Sequence, residues 1–289
     1  MRYALVDGIK TEATPKAQGK CLCCGAEVIA KCGDKRAWHW AHKNNEECNY
    51  SKKDAKTPWH ENWQKQFPPD WCEVRCTDEQ TGEIHIADIK TTNGLVVEFQ
   101  HSAINPEERS SREQFHKNMI WVVDGTRLKY DFKRFTKNIE NLQPFRISNS
   151  EIPFSLYTVN WVDEILPKSW LSATVPLYFD FRPEKIDDSE SDQQQSLRNL
   201  MWGFFSIGKT IFAVSMTHNC FVEYIKQNKL KEIYQYAGQL ISNLIRMAQK
   251  RVPKINYRPE VLNRPIVLPP NASARKIKYL KAKYPGSRF

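Results

Sequence analysis

Between Trp71 and Val123 the apolar positions come in short runs separated by turn residues, the pattern of a sheet and not of long helices. Trp71 to Thr77 reads as one strand. Thr81-Gly82 turns the chain, and Glu83 to Lys90 alternates around Ile84, Ile86 and Ile89. Asn93-Gly94 is a tight hairpin signal, after which Leu95 to Gln100 forms a third strand. Met119 to Val123 is an unbroken apolar run suited to a central strand. Two helices punctuate this series. Thr57 to Phe67 starts with a capping Thr and a Pro in its first turn, and Pro68-Pro69-Asp70 stops it. Pro106 opens a polar helix that runs to about Asn118. The order helix, three strands, helix, strand predicts a mixed α/β core.

Outside this core the patterning is less regular. Arg2 to Val6 reads as a short strand, and residues 21–50 are too short and too polar for an apolar core of their own. Ser51 to Lys56 reads as a linker. No element is assigned within residues 125–160. Residues 161–245 read as a second α/β unit, with strand-like runs in Trp202 to Met216, helix in Phe221 to Lys250, and an acidic loop at Asp187 to Asp192. The chain divides on this reading into residues 1–52, 53–145 and 146–250, with a basic tail at 251–289. No internal repeat is visible.

Composition sharpens the two ends. The hydrophobic content of 40% suits a globular protein, and no stretch approaches the ~18 apolar residues of a membrane span. With no export signal after Met1, a cytoplasmic protein without a membrane partner is expected. The net charge of +10 is concentrated in Arg246 to Phe289, where twelve Lys/Arg face one acid, Glu260. A basic segment interleaved with Tyr257, Tyr279, Tyr284 and Phe289 suits a nucleic-acid backbone.

Five of the eight cysteines fall between Cys21 and Cys48, together with His39 and His42. Such mixed clustering reads as metal ligation, not a disulfide framework. Zinc takes four N or S ligands, commonly as two short-spaced pairs. Cys21, Cys24, His42 and Cys48 form one structural Zn²⁺ set, with His39 the main alternative to His42, and Cys23 and Cys32 spare. Cys72, Cys76 and Cys220 read as small buried hydrophobes.

A second constellation lies on the central strands. Glu98 and Gln100 project from one face of a strand while Phe99 points to the other. The Asn93-Gly94 hairpin returns that strand beside Asp88. Two carboxylates on adjacent strands suit one hard cation, Mg²⁺ or Mn²⁺, which can activate water and stabilise charge on a phosphodiester oxygen. Glu61, on the preceding helix, is a candidate third carboxylate, and Gln100 would orient water or touch the phosphate. A Gln brings no positive charge, so that role falls to Lys65, Lys90 or a nearby Arg. The competing reading is a buried ion pair with Arg75 or Arg112. His60 and His85 are further candidates beside the carboxylates, and Arg109 and Arg112 share one helical face.

The strings His85-Ile86-Ala87-Asp88 and Val96 to Ile104, then Arg109, Arg112 and Ile120-Trp121-Val122-Val123-Asp124, resemble the CoiA-like competence-protein family. Trp38-His39-Trp40-Ala41-His42 and Trp59-His60-Glu61-Asn62-Trp63 resemble its upstream segments. The resemblance covers about residues 20–125 and implies a PD-(D/E)xK fold, that is, a restriction-endonuclease-like mixed sheet core. It sets Asp88, Glu98 and Gln100 on the motif, with Gln in place of the usual Lys. The combined expectation is a divalent-metal-dependent nuclease acting on DNA. Its rival is a non-catalytic DNA-binding or recombination-accessory protein on a nuclease-like fold. Competence, repair and defence against foreign DNA are all compatible settings.

Overall fold

Two sheets organise the chain, and the cause is visible in their strand composition. A computed structural model describes residues 1–34, 37–44, 48, 57–127, 130–139, 142, 144, 152–183 and 190–251, the last five as backbone only. The linker Ser51 to Lys56, the residues Asp187 to Ser189 of the acidic loop and the tail from 252 onward lie outside the described residues.

The first sheet has five strands: β1 (Tyr3–Val6), β2 (Ile9–Glu12), β3 (Gln18–Lys20), β4 (Glu27–Lys31) and β5 (His39–His42), in the order β2-β1-β3-β4-β5. The sequence foretold only the first of these. Contrary to expectation, this segment has an apolar cluster, made of Ala4, Ala13, Cys21, Val28 and Trp40, and it is completed by Ile86 from the second sheet. A few small side chains and one Trp suffice because the cluster borrows a neighbour's surface.

The second sheet has eight strands. After α1 (Pro58–Gln64) come β6 (Cys72–Thr77), β7 (Ile84–Lys90), β8 (Val96–Gln100), α2 (Pro106–His116), β9 (Met119–Asp124), α3 (Asp131–Ile139), β10 (Phe154–Val159), α4 (Val162–Ile165), β11 (Leu177–Asp180), α5 (Asp192–Arg198), β12 (Leu200–Ile207), β13 (Thr210–Thr217), α6 (His218–Lys226) and α7 (Leu230–Arg251). Their order is β10-β13-β12-β11-β9-β8-β7-β6. The three centre strands β8, β9 and β11 run parallel, and the flanking pairs are antiparallel. Parallel centre strands are covered on both faces, which is why Met119 to Val123 shows no polar alternation. All six residues of β9 are buried. The strands of the segment after residue 146 therefore extend the same sheet that β6 to β9 begin. The run Phe221 to Lys250 is two helices, broken where Asn228 takes a left-handed φ of 57°.

Local signals act as their chemistry dictates. The Thr57 hydroxyl accepts the His60 amide at 3.3 Å and starts α1, and the Asn105 side chain caps α2. Gly94, at φ 79°, closes the β7–β8 hairpin with its N–H on the Thr91 carbonyl at 2.9 Å. The small sheet is tied to the edge strand β6 through Glu73. Its carboxylate accepts the backbone N–H of Arg2 at 3.2 Å and of Tyr3 at 3.1 Å. Glu73 itself sits at φ 46°, between the paired residues Cys72↔Ile89 and Val74↔Ala87, and the ladder passes over it without a change of register. Lys10 adds bonds to the carbonyls of Pro69 and Cys72.

Residues 1–239 form one compact unit, and the end of α7 from Leu240 belongs to a second. Among the described residues no helix is long and apolar enough to cross a membrane.

Candidate functional site

The Cys/His segment folds into a ligand set. Cys21 follows β3, and Gly25, at φ 74°, turns the chain so that its N–H reaches the Cys21 carbonyl at 3.0 Å. That turn brings Cys24 back beside Cys21. The β4–β5 ladder pairs Val28 with His42 and so delivers the imidazole to the same place. The ligand atoms of Cys21, Cys24, His42 and Cys48 all lie within 4.8 Å of one another. Tetrahedral zinc, with Zn–S of about 2.3 Å and Zn–N of about 2.0–2.1 Å, sets S···S near ~3.8 Å and S···N near ~3.6 Å. Here Cys21 Sγ to Cys48 Sγ is 3.9 Å, Cys48 Sγ to His42 Nε2 is 3.7 Å, and Cys24 Sγ to His42 Nε2 is 3.3 Å. Two of these edges lie within about 0.1 Å of a zinc tetrahedron's, and the Cys24–His42 edge is about 0.3 Å shorter. Burial pushes the Cys21 thiol up to about 12, so a thiolate there calls for a bound cation. His39 turns instead to the Ala37 carbonyl at 2.9 Å, and Cys23 and Cys32 stand outside the set. A Cys₃His cluster able to hold zinc is therefore present.

The second constellation lies where β7 and β8 part. The strands pair at Ile89↔Val97 and Lys90↔Val96, and the next step of that register would set Asp88 opposite Glu98. Instead of continuing the ladder, each carboxylate reaches across to the other strand's backbone. Glu98 Oε1 accepts the Asp88 N–H at 3.2 Å, and Asp88 Oδ2 accepts the Phe99 N–H at 3.0 Å. Both are buried, at 4% and 1% exposure. Such burial is costly without charged partners, and the two helices supply them. His60 of α1 places Nε2 3.1 Å from Asp88 Oδ2. Arg112 of α2 places Nη1 3.5 Å from Glu98 Oε2, and His116 Nε2 lies 4.0 Å from Glu98 Oε1. Gln64 donates to the Asp88 carbonyl at 3.3 Å.

The remaining candidates separate. The Gln100 amide donates to the Ser102 carbonyl at 3.0 Å and its hydroxyl at 3.1 Å. Among the described residues the Cys/His set is the one group of three or more His, Cys, Asp or Glu with ligand atoms all within 4.8 Å, so Glu61 makes no such group with the pair. α1 turns His60 toward Asp88, and Glu61 stands one position, about 100°, further around the helix. His85 bonds Glu83 at 2.7 Å and packs its ring on Phe115 at 4.3 Å. Arg109 leaves its helical neighbour's surroundings altogether. It is 2% exposed, bonds Ser172 at 2.8 Å and lies 3.6 Å from Glu113.

One buried cluster escaped the sequence reading. Asp180, at the end of β11, accepts the indole N–H of Trp59 at 3.1 Å and of Trp63 at 3.0 Å on one oxygen. His218 meets the other at 2.9 Å, while its Nδ1 faces the Asn199 carbonyl at 3.2 Å. Both imidazole nitrogens thus face acceptors. Burial raises the Asp180 carboxyl, but the bond and charge of His218 and then Arg182 outweigh it and hold the group below its ordinary range. A lone Asp preceding Phe181-Arg182 carries no local signal for this role.

Comparison with known proteins bears on the first cluster alone. Residues 10–51 match the family model of the competence protein CoiA N-terminal domain, a span that holds all four zinc-set residues. No curated protein and no solved structure matches.

Proposed function

We propose, taking a CoiA-like N-terminal domain as the premise, that this protein is a divalent-metal-dependent nuclease whose reacting centre is Asp88 and Glu98. The observation that carries the reading is the reciprocal bonding of two buried carboxylates across parted strands. Two hard oxygen donors on neighbouring strands suit Mg²⁺ or Mn²⁺, which bind through one or two carboxylates and keep several waters. The ion would lower the pKa of a bound water and offset charge on the phosphodiester oxygens. The chain's own residues do the rest. The backbone N–H groups of Asp88 and Phe99 fix the carboxylate orientations, and His60 holds Asp88 from α1. Gln100, steadied by Ser102, sits one strand repeat beyond Glu98 and contacts the substrate without adding charge. The substrate class is nucleic acid, and DNA first, because a tail of net positive charge accompanies the site. A role in competence or recombination accords with the domain matched at residues 10–51. The zinc set is structural in this reading, since four protein ligands leave no open position.

A second reading has its own observation. Glu98 already meets Arg112 and His116, and Asp88 already meets His60 and the Phe99 N–H, so both carboxylates are partnered by the protein itself. That suits a DNA-binding platform that has lost catalysis. Incubating the protein with plasmid and single-stranded DNA in Mg²⁺, Mn²⁺ or EDTA separates the two. The nuclease reading expects metal-dependent cleavage that Asp88→Ala and Glu98→Ala each lower by at least ~10²-fold, with DNA affinity kept. Binding without cleavage under every metal condition gives the platform.

A further inference from the structure

We propose that Arg112 is the cationic residue of this site, held by Glu98 until a divalent ion takes over that carboxylate, and then turned to the substrate phosphate. The inference rests on the carboxylate reading above and deepens it. The motif position that would carry a positive charge is Gln100, and its amide is spent on Ser102. Of the cations that sequence offers, Lys65 lies exposed just past the end of α1, and Lys90 reaches the Cys76 thiol on β6. Arg109 is sealed in the core by Ser172, Glu113 and the Trp170 ring. Arg112 alone among these touches a carboxylate of the pair, at 3.5 Å, while keeping 14% of its side chain exposed.

Its second anchor explains how it could move. The other end of the guanidinium pairs with Glu108 one helical turn back, and the Glu108 side chain is 54% exposed. Arg112 thus bridges a buried carboxylate and a surface one. Glu98, at 1% exposure, needs a countercharge in the metal-free protein, and the guanidinium provides it. A bound dication would satisfy Glu98 more fully and weaken its hold on Arg112. The freed guanidinium, still steadied by Glu108, presents a planar fork that matches phosphate oxygens. Metal and arginine therefore compete for Glu98 in the resting protein and cooperate once substrate is present.

That competition gives a signature that a packing role does not share. Mn²⁺ binding is measured on the full chain by calorimetry or spin resonance, beside cleavage, for the parent, Arg112→Gln, Arg112→Lys and Glu98→Gln. Arg112→Gln should bind Mn²⁺ about tenfold more tightly, a difference of about 1.4 kcal/mol. It should also lower kcat by about 10²-fold, as loss of one charge-stabilising donor does. Arg112→Lys keeps the charge but not the fork, so Mn²⁺ affinity should stay near the parent's while kcat falls. Should Arg112→Gln unfold, the Lys variant still decides: parental Mn²⁺ affinity with parental kcat overturns the assignment. Weaker Mn²⁺ binding in Arg112→Gln, or no change, also overturns it. Mn²⁺ bound by the parent, lost in Glu98→Gln, with no cleavage by any variant, would sink the nuclease reading, leaving the exchange at Glu98 to stand or fall on Mn²⁺ affinity. No Glu98-dependent Mn²⁺ binding at all overturns both.

Discussion

Residue by residue, this protein repeatedly resolves a buried charge by collecting donors from distant segments. Asp180 is the fullest case: two indoles, an imidazole and Arg182 converge on one carboxylate. Its folded-state pKa lies below its unfolded value, so its stabilising contribution is complete above the unfolded pKa, near ~3.9. The contribution is lost as pH falls through the lower, folded pKa. The parent should therefore lose stability steeply on acidification below about pH 4. Asp180→Asn should flatten that limb, and should cost about 1–3 kcal/mol at neutral pH because a buried donor among Trp59, Trp63 and His218 is left without its acceptor. Denaturant midpoints for both proteins between about pH 3 and pH 7 check this, across the range where that carboxyl titrates. Parallel pH profiles would mean that Asp180 does not govern the acid limb. The same scale shows what sequence could and could not yield. Asp88 and Glu98 were legible, because a hairpin between two patterned strands brings specific positions together. His60 and Arg112 as their partners were not, since helix-to-sheet packing sets that contact and no local spacing encodes it. Arg112 entered only as one of two alternatives, and Arg109, its apparent equivalent on the helix face, turned inward to Ser172 and Glu113.

At the scale of elements, the zinc set does more than close a loop. Cys21 is both a member of the cluster that could hold zinc and a member of the apolar cluster that includes Ile86, and Ile86 stands two residues before Asp88 on β7. The small sheet also hangs on β6 through the carboxylate of Glu73. Purified protein should hold about one zinc per chain, and Cys24→Ser should lose it. Elemental analysis gives the first result, and amide hydrogen exchange gives the second: protection should fall across residues 18–42 and, more weakly, across Ile84 to Asp88. A metal-free parent with full protection would refute the zinc assignment. Glu73→Ala removes the acceptor of the Arg2 and Tyr3 backbone N–H groups at the start of β1 and should destabilise the small sheet by about 1–3 kcal/mol per donor. Unaltered exchange at Tyr3 and Ala4 would show that this tether is dispensable. The helices and β6 to β9 were readable because caps, prolines and alternation are local. Strands β2 to β5 were hidden because their residues are polar and short-ranged, and their sheet relies on a metal set and a borrowed Ile86. The choice of His42 over His39 was settled by the β4–β5 register, which sequence spacing left open.

For the whole molecule, the informative fact is that strands from both halves of the chain build one sheet. The sequence divided near residue 146 because residues 125–160 lack a clear period, and a break in pattern resembles a domain boundary. The structure runs hydrogen bonds across it: β9 pairs in parallel with β8 on one side and β11 on the other. Trp121 is fully buried and meets Trp170, 5.5 Å away, and the same cluster holds Val96, Phe135, Phe179 and Trp202. The basic tail raises a question of charge instead. Cutting after Pro253 removes nine Lys/Arg and Glu260, taking the net charge from +10 to +2. On the nuclease reading proposed above, DNA affinity should then fall and its salt dependence flatten, while cleavage at saturating DNA persists. Binding isotherms at several salt concentrations with equal slopes for both chains would exclude the tail from the interface.

A cut at residue 145 should behave in the opposite way. It strips β9 of β11, exposing the backbone edge of Met119 to Val123, a flat apolar strand of the kind that pairs with other chains. It also removes Leu177, Phe179, Phe181, Trp202 and Phe204 from the main cluster, leaving Trp121 and Phe135 facing solvent. Loss of several large buried side chains at about 2–5 kcal/mol each exceeds the ~5–15 kcal/mol that holds a typical domain together. Residues 1–145 should therefore aggregate on expression, although they contain the zinc set, Asp88 and Glu98. Residues 1–251 should remain soluble and melt in one cooperative transition, because the eight strands share a single core. Size-exclusion chromatography and thermal melts on the two fragments test this directly. A monomeric, cooperatively melting 1–145 fragment would mean that the sheet is two domains laid edge to edge, and that the carboxylate site needs nothing beyond β9.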